Sequence, residues 1–390
     1  MSVLRQKLSD SLPTSNKTVH ALIMMAMLLF LAFGITGLGV FALMYSLSTM
    51  SAGNDSATSH GISSMSSSRL GGVAIVMSFL LLLIGIIVLS PSTLGAAVNA
   101  IFLPAWSTVF VCVILGASED FKADLLSPFV RLAAKLLAFG IFFWITPGVV
   151  PDAIGVPLLD GLFASPVLAW AICTLFCVGF INAFNMADGA NGLVPGIATI
   201  AFGILFLEYG GPIEGALFFV CLIFLIFNVL SGWFFLGDAG SYGLGAALVC
   251  YGLQGVAQGD FSAGFMASLL SYPCVDFLVS IIRRAREGES PLRPDNGHLH
   301  NWLYGFYATI FISRVVSNSL AGLTISLCSS GVCLVIYLSG WLPVESNTWF
   351  GVFALQTALY LVVRSRLKNT QSMESPDTEL GHFDLICNIE

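Results

Sequence analysis

Charge is the scarcest property of this sequence. Only 9% of the 390 residues are charged, whereas 57% are hydrophobic, and the mean hydropathy is +0.90. Because soluble globular chains carry about 25% charged residues, this composition excludes a soluble fold and indicates a polytopic membrane protein. The few basic residues form no patch of the kind that binds nucleic acid. We therefore expect a lipid bilayer, and no nucleic acid, among the partners.

The sequence also lacks a cysteine framework, an internal repeat and a loop long enough to house a soluble domain. Most of the nine cysteines lie within apolar runs. There they behave as small apolar residues, so we predict neither disulfides nor a structural zinc site.

Long apolar runs dominate what is present. A helix that crosses the bilayer needs about 20 apolar residues, and this criterion predicts an all-α integral membrane protein of about eleven transmembrane helices. The predicted spans are 21–48, 71–90, 96–116, 130–149, 163–182, 193–208, 213–233, 241–257, 262–283, 313–340 and 348–364. The first run is too long for a cleaved signal peptide, so it should remain as a helix. We predict a tail over 1–20, one polytopic catalytic domain over 21–364, and a polar acidic tail over 365–390.

The basic residues indicate the orientation of the chain. Twelve of the fifteen fall on one set of loops and the C-terminal tail, whereas Arg5, Lys7 and Lys17 lie in the N-terminal tail. By the positive-inside rule, the first set faces the cytoplasm and the N-terminus lies outside. The predicted cytoplasmic loops are 49–70, 117–129, 182–192, 234–241 and 284–312. They also carry nearly all the polar clusters, which predicts a catalytic cleft on this face.

Four polar residues recur at three-residue spacing between two apolar runs: Asn182, Asn185, Asp188 and Asn191. On a helix, the first three would lie on one side. Gly189 would leave the backbone next to Asp188 bare, so that a diphosphate could approach closely. A capped helix end followed by a turn explains the same residues equally well.

Two acidic sites flank this stretch along the chain. Glu119 and Asp120 are adjacent, and neighbouring carboxylates raise each other's pKa, which suits one of them to proton transfer. Asp238 lies between Gly237 and Gly240, where a carboxylate on bare backbone suits Mg²⁺ that shares its shell with phosphates. Taken alone, the pair is better explained as helix-capping acids, and a simple turn explains Asp238 equally well.

The last predicted cytoplasmic loop combines arginines with His298 and His300. Together with Arg293, these side chains could clamp a phosphorylated ligand. Alternatively, the arginines only anchor the topology and the histidines face solvent. A zinc pair is disfavoured because no cysteine or third histidine is near. Asp276, inside the ninth run, should meet a polar partner, and an interhelical hydrogen bond is its favoured role.

Three motifs in this order resemble those of the polyprenyl-phosphate N-acetylhexosamine-1-phosphate transferases, of the glycosyltransferase family 4 type. They cover 182–193, 235–241 and 290–300, and the similarity runs from about residue 69 to 300. The resemblance implies transfer of a sugar-1-phosphate from a UDP-sugar to a polyprenyl phosphate such as undecaprenyl phosphate, with release of UMP. It also implies Mg²⁺, or Mn²⁺ in its place, at the cytoplasmic face of a bacterial inner membrane.

The resemblance also implies roles for individual residues. Metal binding would involve Asp238 and Asn185, and the catalytic acids would be Glu119, Asp120 and Asp188. The substrate-binding residues would be Asn182, Asn191, Arg131, Arg293, His298 and His300. Three positions depart from the family pattern: Glu119 and Asn191 each replace a frequent Asp, and Asn301 replaces a further His. Which of the three acids acts as a base stays open.

The alternating His298-Leu299-His300 pattern resembles the branch that initiates surface polysaccharides, such as O-antigen-like polymers. We therefore expect a plain UDP-N-acetylhexosamine or a deoxy relative as donor. A UDP-MurNAc-pentapeptide phosphotransferase of cell-wall synthesis is the alternative. Two other classes of membrane protein are disfavoured. A secondary transporter would need charged residues at the bilayer midplane and internal repeats, and neither is evident here. A CDP-alcohol phosphotransferase would need an Asp-Gly-x-x-Ala-Arg run, which the sequence lacks after Asp188-Gly189. The exact sugar, the polyprenol length and a homodimeric state stay open.

Overall fold

The fold is a bundle of helices whose bounds follow the apolar runs closely. The computed structural model describes residues 16–50, 54–55, 67–92, 101–288 and 297–374. In its first half the helices are α1 (Asn16–Ser48), α2 (Gly71–Leu89), α3 (Phe102–Phe121), α4 (Pro128–Ile145), α5 (Pro157–Phe163), α6 (Pro166–Met186) and α7 (Val194–Tyr209). They are followed by α8 (Pro212–Ser231), α9 (Gly237–Gln258), α10 (Ala263–Leu269), α11 (Ser271–Glu287), α12 (Leu299–Ile310), α13 (Arg314–Ser326), α14 (Val332–Ser339) and α15 (Trp349–Glu374).

Proline and glycine mark several helix ends. α8 begins at Pro212, where the missing N–H costs no intrahelical bond, and stops at Gly232, whose φ of +72° suits a glycine. A 3₁₀ turn at Pro147–Val149 follows α4, and a π-helical segment at Leu327–Gly331 joins α13 to α14. The predicted span over 313–340 is therefore one continuous helix, Arg314–Ser339.

By length and composition, six helices of the described residues could cross a membrane, or seven when one bent pair is counted as a single span. This supports the predicted all-α membrane class and leaves the count of eleven spans as a prediction. The bent pair is α10 and α11, which meet at 80°. Pro273 lies in the first turn of α11, where its ring prevents an unbroken helix through Leu269. The predicted span over 262–283 is therefore broken.

The segment 284–312 was predicted to be a single loop, but much of it is helical. α11 continues to Glu287, and α12 occupies Leu299–Ile310, with Leu299 and Leu303 buried. This helix escaped prediction because it follows an Arg- and Pro-rich stretch and is too short to span a membrane.

A short antiparallel pair joins β1 (Asn54–Asp55) to β2 (Ser67–Ser68) in front of α2. Beyond it, the Ser68 amide donates to the Trp233 carbonyl oxygen, and the Phe235 amide donates to the Ser68 carbonyl oxygen, each at 2.9 Å. These bonds hold the start of α2 against the segment that leads into α9.

The N-terminus of α9 lies in the closest packing of the bundle. A Cβ on Gly116 of α3 would lie 2.2 Å from the Asp238 carbonyl oxygen, and one on Gly72 of α2 would lie 1.9 Å from the Gly240 nitrogen. Only glycine permits these approaches, which resemble the small-residue contacts of membrane helices. The end of α3 and the start of α9 are thereby brought into direct contact.

Candidate active site

Asp120 caps the N-terminus of α9. Its two carboxylate oxygens accept hydrogen bonds from the amides of Asp238 and Ala239, both at 2.8 Å. These amides belong to the first turn of α9, where backbone N–H groups have no intrahelical partner and the helix dipole favours negative charge. Asp120 is only 5% exposed and therefore fixes the backbone that carries Asp238.

Asp238 projects from this first turn with its carboxylate accessible, since 30% of the side chain is exposed. The Asn185 side-chain amide donates to Asp238 Oδ1 at 3.0 Å and to the Ser241 hydroxyl at 2.8 Å. Arg131 Nη1 lies 3.7 Å from Asp238 Oδ2. The structure thus brings together two predicted metal-site residues, Asn185 and Asp238, and one predicted substrate-binding residue.

Glu119 and Asp120 have different hydrogen-bond partners. Its oxygens accept hydrogen bonds from the amides of Asp124 and Leu126 at 3.1 and 3.0 Å, and Arg131 Nη1 lies 3.2 Å from Glu119 Oε2. The side chain therefore organises the turn between α3 and α4 and holds Arg131 beside Asp238. In this arrangement Glu119 acts on the site through Arg131.

Asn182 contacts a lysine to which the sequence had assigned no role in the site. Lys135 Nζ donates to Asn182 Oδ1 at 2.5 Å and lies 3.9 Å from the centre of the Tyr242 ring. Lys135 is only 1% exposed, although it is charged. The sequence did contain a signal for a role of Lys135 in the site, since it lies within an apolar run, four residues after Arg131. Basic residues inside membrane helices are costly and mark functional positions.

An open cavity of about 550 Å³ lies at this end of the bundle. Its lining includes Arg69, Asn185, Asp188, Asn191 and Asp238. Burial, followed by the charges of Asp238 and Asp120, raises the pKa of Asp188 to about 8. The part of this shift that comes from the two neighbouring carboxylates is one that a bound cation would offset.

Asn191 belongs to a network that the sequence analysis missed. Asn228 Nδ2 donates to Asn191 Oδ1 at 3.3 Å and to the Phe234 carbonyl oxygen at 2.9 Å, while Asn228 Oδ1 accepts from the Gly192 amide at 2.7 Å. Asn228 thus ties the 187–193 turn to the segment before α9. An amide inside the apolar run 213–233 was the signal that could have identified it.

Of the two predicted histidines, His300 lies against the Asp188–Gly189 turn and His298 lies against Asp276. His298 Nδ1 is 2.5 Å from Asp276 Oδ2, so Asp276 has the polar partner that the sequence predicted. His300 Nε2 lies so close to Gly189 that a Cβ there would be 2.1 Å away. Arg293, the remaining predicted substrate-binding residue, lies outside the described residues.

Within the part of the chain that the structure describes, no cluster of three or more His, Cys, Asp or Glu side chains could hold a metal ion. The oxygens suited to a cation are those of Asp238, with the Asn185 amide beside them. Mg²⁺ commonly takes only one or two protein carboxylates and completes its shell with water and substrate phosphates. The residues present fit that pattern and do not fit an all-protein metal cage.

Part of this chain is similar in sequence to known proteins. Residues 102–256 match the model of Glycosyl transferase family 4. The chain is 29% identical to a probable undecaprenyl-phosphate N-acetylglucosaminyl 1-phosphate transferase of Bacillus subtilis, over 50% of this chain and 56% of the relative. It is 33% identical to an undecaprenyl-phosphate alpha-N-acetylglucosaminyl 1-phosphate transferase of Yersinia pestis, over 33% of this chain and 40% of the relative.

A third relative has a name that refers to a different transferred group. The chain is 34% identical to a phospho-N-acetylmuramoyl-pentapeptide-transferase of Latilactobacillus sakei, over 37% of this chain and 50% of the relative. In all, the chain spans about half the length of the curated relatives that it matches. Both donor classes occur among them, so the resemblance predicted from the motifs is confirmed at the level of the family and not of the sugar.

Proposed function

We propose that the protein transfers a HexNAc-1-phosphate from a UDP-sugar to polyprenyl phosphate, because residues 102–256 match the model of Glycosyl transferase family 4. Undecaprenyl phosphate is the acceptor, GlcNAc-1-phosphate or a deoxy relative is the group transferred, and UMP is released. The observation that carries this proposal is the Asp238 carboxylate, which lies on the wall of a 550 Å³ cavity between Asn185 and Arg131.

The main obstacle in this reaction is that two phosphate anions must approach each other. Asp238, together with Asn185 if its amide turns the oxygen outward, would hold a Mg²⁺ ion, which would supply neutralising charge to the diphosphate. Arg131, held by Glu119 and Asp238, contributes a fixed cation at the same wall. Lys135 lies behind Asn182 and adds positive charge from within the bundle.

The chemical step is a direct displacement. An oxygen of the lipid phosphate attacks the β-phosphorus of the donor, the bond from that phosphorus to the bridging oxygen breaks, and UMP leaves with the bond's electrons. A phosphate monoester is mostly ionised near pH 7, because its second pKa is about 6. Strong base catalysis is therefore unnecessary. Both oxygens of Asp120 are engaged by α9, so Asp188 is the acid available to exchange a proton with the substrate.

The donor in this proposal is inferred from the histidine motif. The alternating His298 and His300, with Asn301 in place of a further histidine, favour a plain HexNAc donor, whereas one class of relatives uses a pentapeptide-bearing donor. Sites built from hydrogen bonds discriminate strongly against ligands that leave polar groups unpaired.

The test is UMP release by purified protein with undecaprenyl phosphate and a panel of donors: UDP-GlcNAc, UDP-GalNAc, their 6-deoxy forms and UDP-MurNAc-pentapeptide. We expect turnover with one or more HexNAc donors. Turnover with the pentapeptide donor alone would move the protein to cell-wall synthesis, and release of UMP from no donor would refute the transferase activity.

We further propose a bacterial inner-membrane location with the cavity facing the cytoplasm, because the basic loops surround it. Single cysteines at two exposed alanines test this: Ala123 in the turn between α3 and α4, and Ala153 beyond the other end of α4. In intact cells an impermeant thiol reagent should label A153C and spare A123C, with the wild-type protein as background control. The reverse pattern contradicts the orientation.

A further inference from the structure

His298 and His300 are each held at Nδ1 by a side chain of α11, and His300 packs against Gly189 of the cavity lining. Asp276 Oδ2 lies 2.5 Å from His298 Nδ1, and the Tyr272 hydroxyl lies 2.9 Å from His300 Nδ1. Tyr272 and Asp276 are four residues apart and therefore share one face of α11. The two imidazole rings are parallel within 3°, with centroids 5.4 Å apart. Their Nε2 edges thus face away from α11, and that of His300 reaches Gly189.

Asp276 is itself fixed at its second oxygen. Asp276 Oδ1 accepts hydrogen bonds from the Tyr360 hydroxyl at 2.7 Å and from the Leu299 amide at 3.2 Å. Asp276 and Tyr360 are both buried, and they join α11 to α15. The carboxylate therefore cannot rotate without losing two donors in a site that excludes water.

This arrangement determines the protonation of His298 at one nitrogen. A carboxylate accepts and does not donate, so the short contact to Nδ1 requires a proton on Nδ1. A tyrosine hydroxyl both donates and accepts, so the contact between Tyr272 and His300 imposes no such requirement. The contact at Nδ1 therefore sets the tautomer of His298, whereas the contact at Nδ1 of His300 sets none.

Resting on the proposed transferase activity, we propose that Asp276 is a positioning residue that fixes the Nδ1 proton of His298 and aims its Nε2 at the UDP-sugar. Partners of this kind orient functional imidazoles in many sites, and their loss commonly costs about 10- to 100-fold in activity or affinity. This role goes beyond the interhelical hydrogen bond that the sequence predicted for Asp276.

The substitution Asp276→Asn gives a sharp test because its orientation is determined. The Tyr360 hydroxyl and the Leu299 amide both need an acceptor, so the Asn oxygen must take the place of Oδ1. The Asn NH₂ group then faces His298 Nδ1 as a donor, and His298 must move its proton to Nε2. The shape of the side chain is retained while the tautomer is reversed.

Nitrogen-15 NMR of histidine-labelled protein reads the tautomer directly and needs no turnover. The chain has five histidines, and His298→Gln assigns the relevant signal. We expect His298 to be protonated on Nδ1 in the wild type and in Tyr272→Phe, and on Nε2 alone in Asp276→Asn. A wild-type His298 without a proton on Nδ1 would overturn the proposal, even if Asp276→Asn fails to fold.

Kinetics then separate a positioning role from a structural one. In Asp276→Asn we expect the KM for the UDP-sugar to rise about 10- to 100-fold, with the KM for polyprenyl phosphate unchanged. Tyr360→Phe, which removes one of the two donors to Asp276 Oδ1, should keep the wild-type tautomer and raise the KM for the UDP-sugar less. A reversed tautomer without any change in donor KM would contradict the proposal. Failure of the wild type itself to release UMP would instead refute the transferase activity.

Discussion

The two polar clusters at the cavity are built in different ways. In the acid cluster, defined as Asp120, Asn185 and Asp238, the buried carboxylate of Asp120 is held by backbone amides of α9, next to glycine contacts between helices. In the histidine cluster, defined as Asp276, His298 and His300 with their tyrosine partners, the Nδ1 atom of each imidazole is held by a side chain, Asp276 or Tyr272. The acid cluster lies inside the segment 102–256 that matches the family model, and the histidine cluster lies beyond it.

This difference determines how easily a single substitution can alter each cluster. A carboxylate bound to backbone amides keeps its partners whatever the neighbouring side chains are, whereas a side-chain pair is lost or altered by one substitution. We therefore expect the acid cluster to carry the common chemistry of phosphate transfer. The histidine cluster, which can be rebuilt one residue at a time, is the more suitable place to distinguish one UDP-sugar from another.

The largest expected effect is that of Asp238→Asn in the acid cluster. The amide keeps the shape of the side chain but loses the charge that would neutralise Mg²⁺, so UMP release should fall by about 10³-fold or more. Asp152→Asn, at an exposed acid near the opposite end of α4, is the control and should retain wild-type activity. Wild-type rates for Asp238→Asn across a Mg²⁺ titration would show that the metal assignment is wrong.

A comparable test of the backbone contacts is Gly116→Ala. A Cβ 2.2 Å from the Asp238 carbonyl oxygen must push α3 away from α9, at a cost of about 1–3 kcal/mol in the free energy of unfolding. Thermal unfolding in detergent measures this loss, and turnover should fall with it because Asp120 would no longer reach α9. Gly179→Ala on α6, where a Cβ meets no atom within 4 Å, is the matched control. Equal stability of the two variants would contradict the close packing.

The pH dependence of metal binding probes Asp188. Because its pKa is raised to about 8, the carboxyl is protonated at lower pH, and a cation must displace that proton in order to bind nearby. Mg²⁺ affinity should therefore rise by about tenfold per pH unit from about pH 6 toward 8 and then level off. Calorimetric titration of donor-free protein measures it, and Asp188→Asn should flatten the dependence. An affinity that is the same at both ends of this range in the wild type would exclude a neutral Asp188.

The smallest effect should come from Tyr272→Phe in the histidine cluster. It removes a neutral hydrogen bond of 2.9 Å to His300, worth about 0.5–1.5 kcal/mol, so the KM for the UDP-sugar should rise by no more than about tenfold. Donor titrations at saturating polyprenyl phosphate measure it. A loss as large as that of Asp238→Asn would show that the two clusters do not differ as described.

Much of the fold could be predicted because it depends on local composition. Apolar runs of about 20 residues can satisfy their backbone groups in a bilayer only as helices, and the observed bounds follow the predicted ones closely. That Asp276 needs a polar partner could also be predicted from local composition, because an unpaired carboxylate among apolar residues is costly. The break at Pro273 and the short α12 were missed, because neither changes the hydropathy of a long window.

The sequence by itself determined the membrane-helical class and the stretches that carry the polar residues. Only the tertiary structure decided which partner each of those residues has. Glu119 and Asp120 are neighbours in sequence, yet successive side chains on a helix point about 100° apart, so one meets the turn before α4 and the other meets α9. The contacts of Asn182 with Lys135 and of His298 with Asp276 likewise join residues 47 and 22 positions apart. Helix packing brings these residues together. This packing depends on glycines, and the sequence around a glycine does not show which helix will contact it.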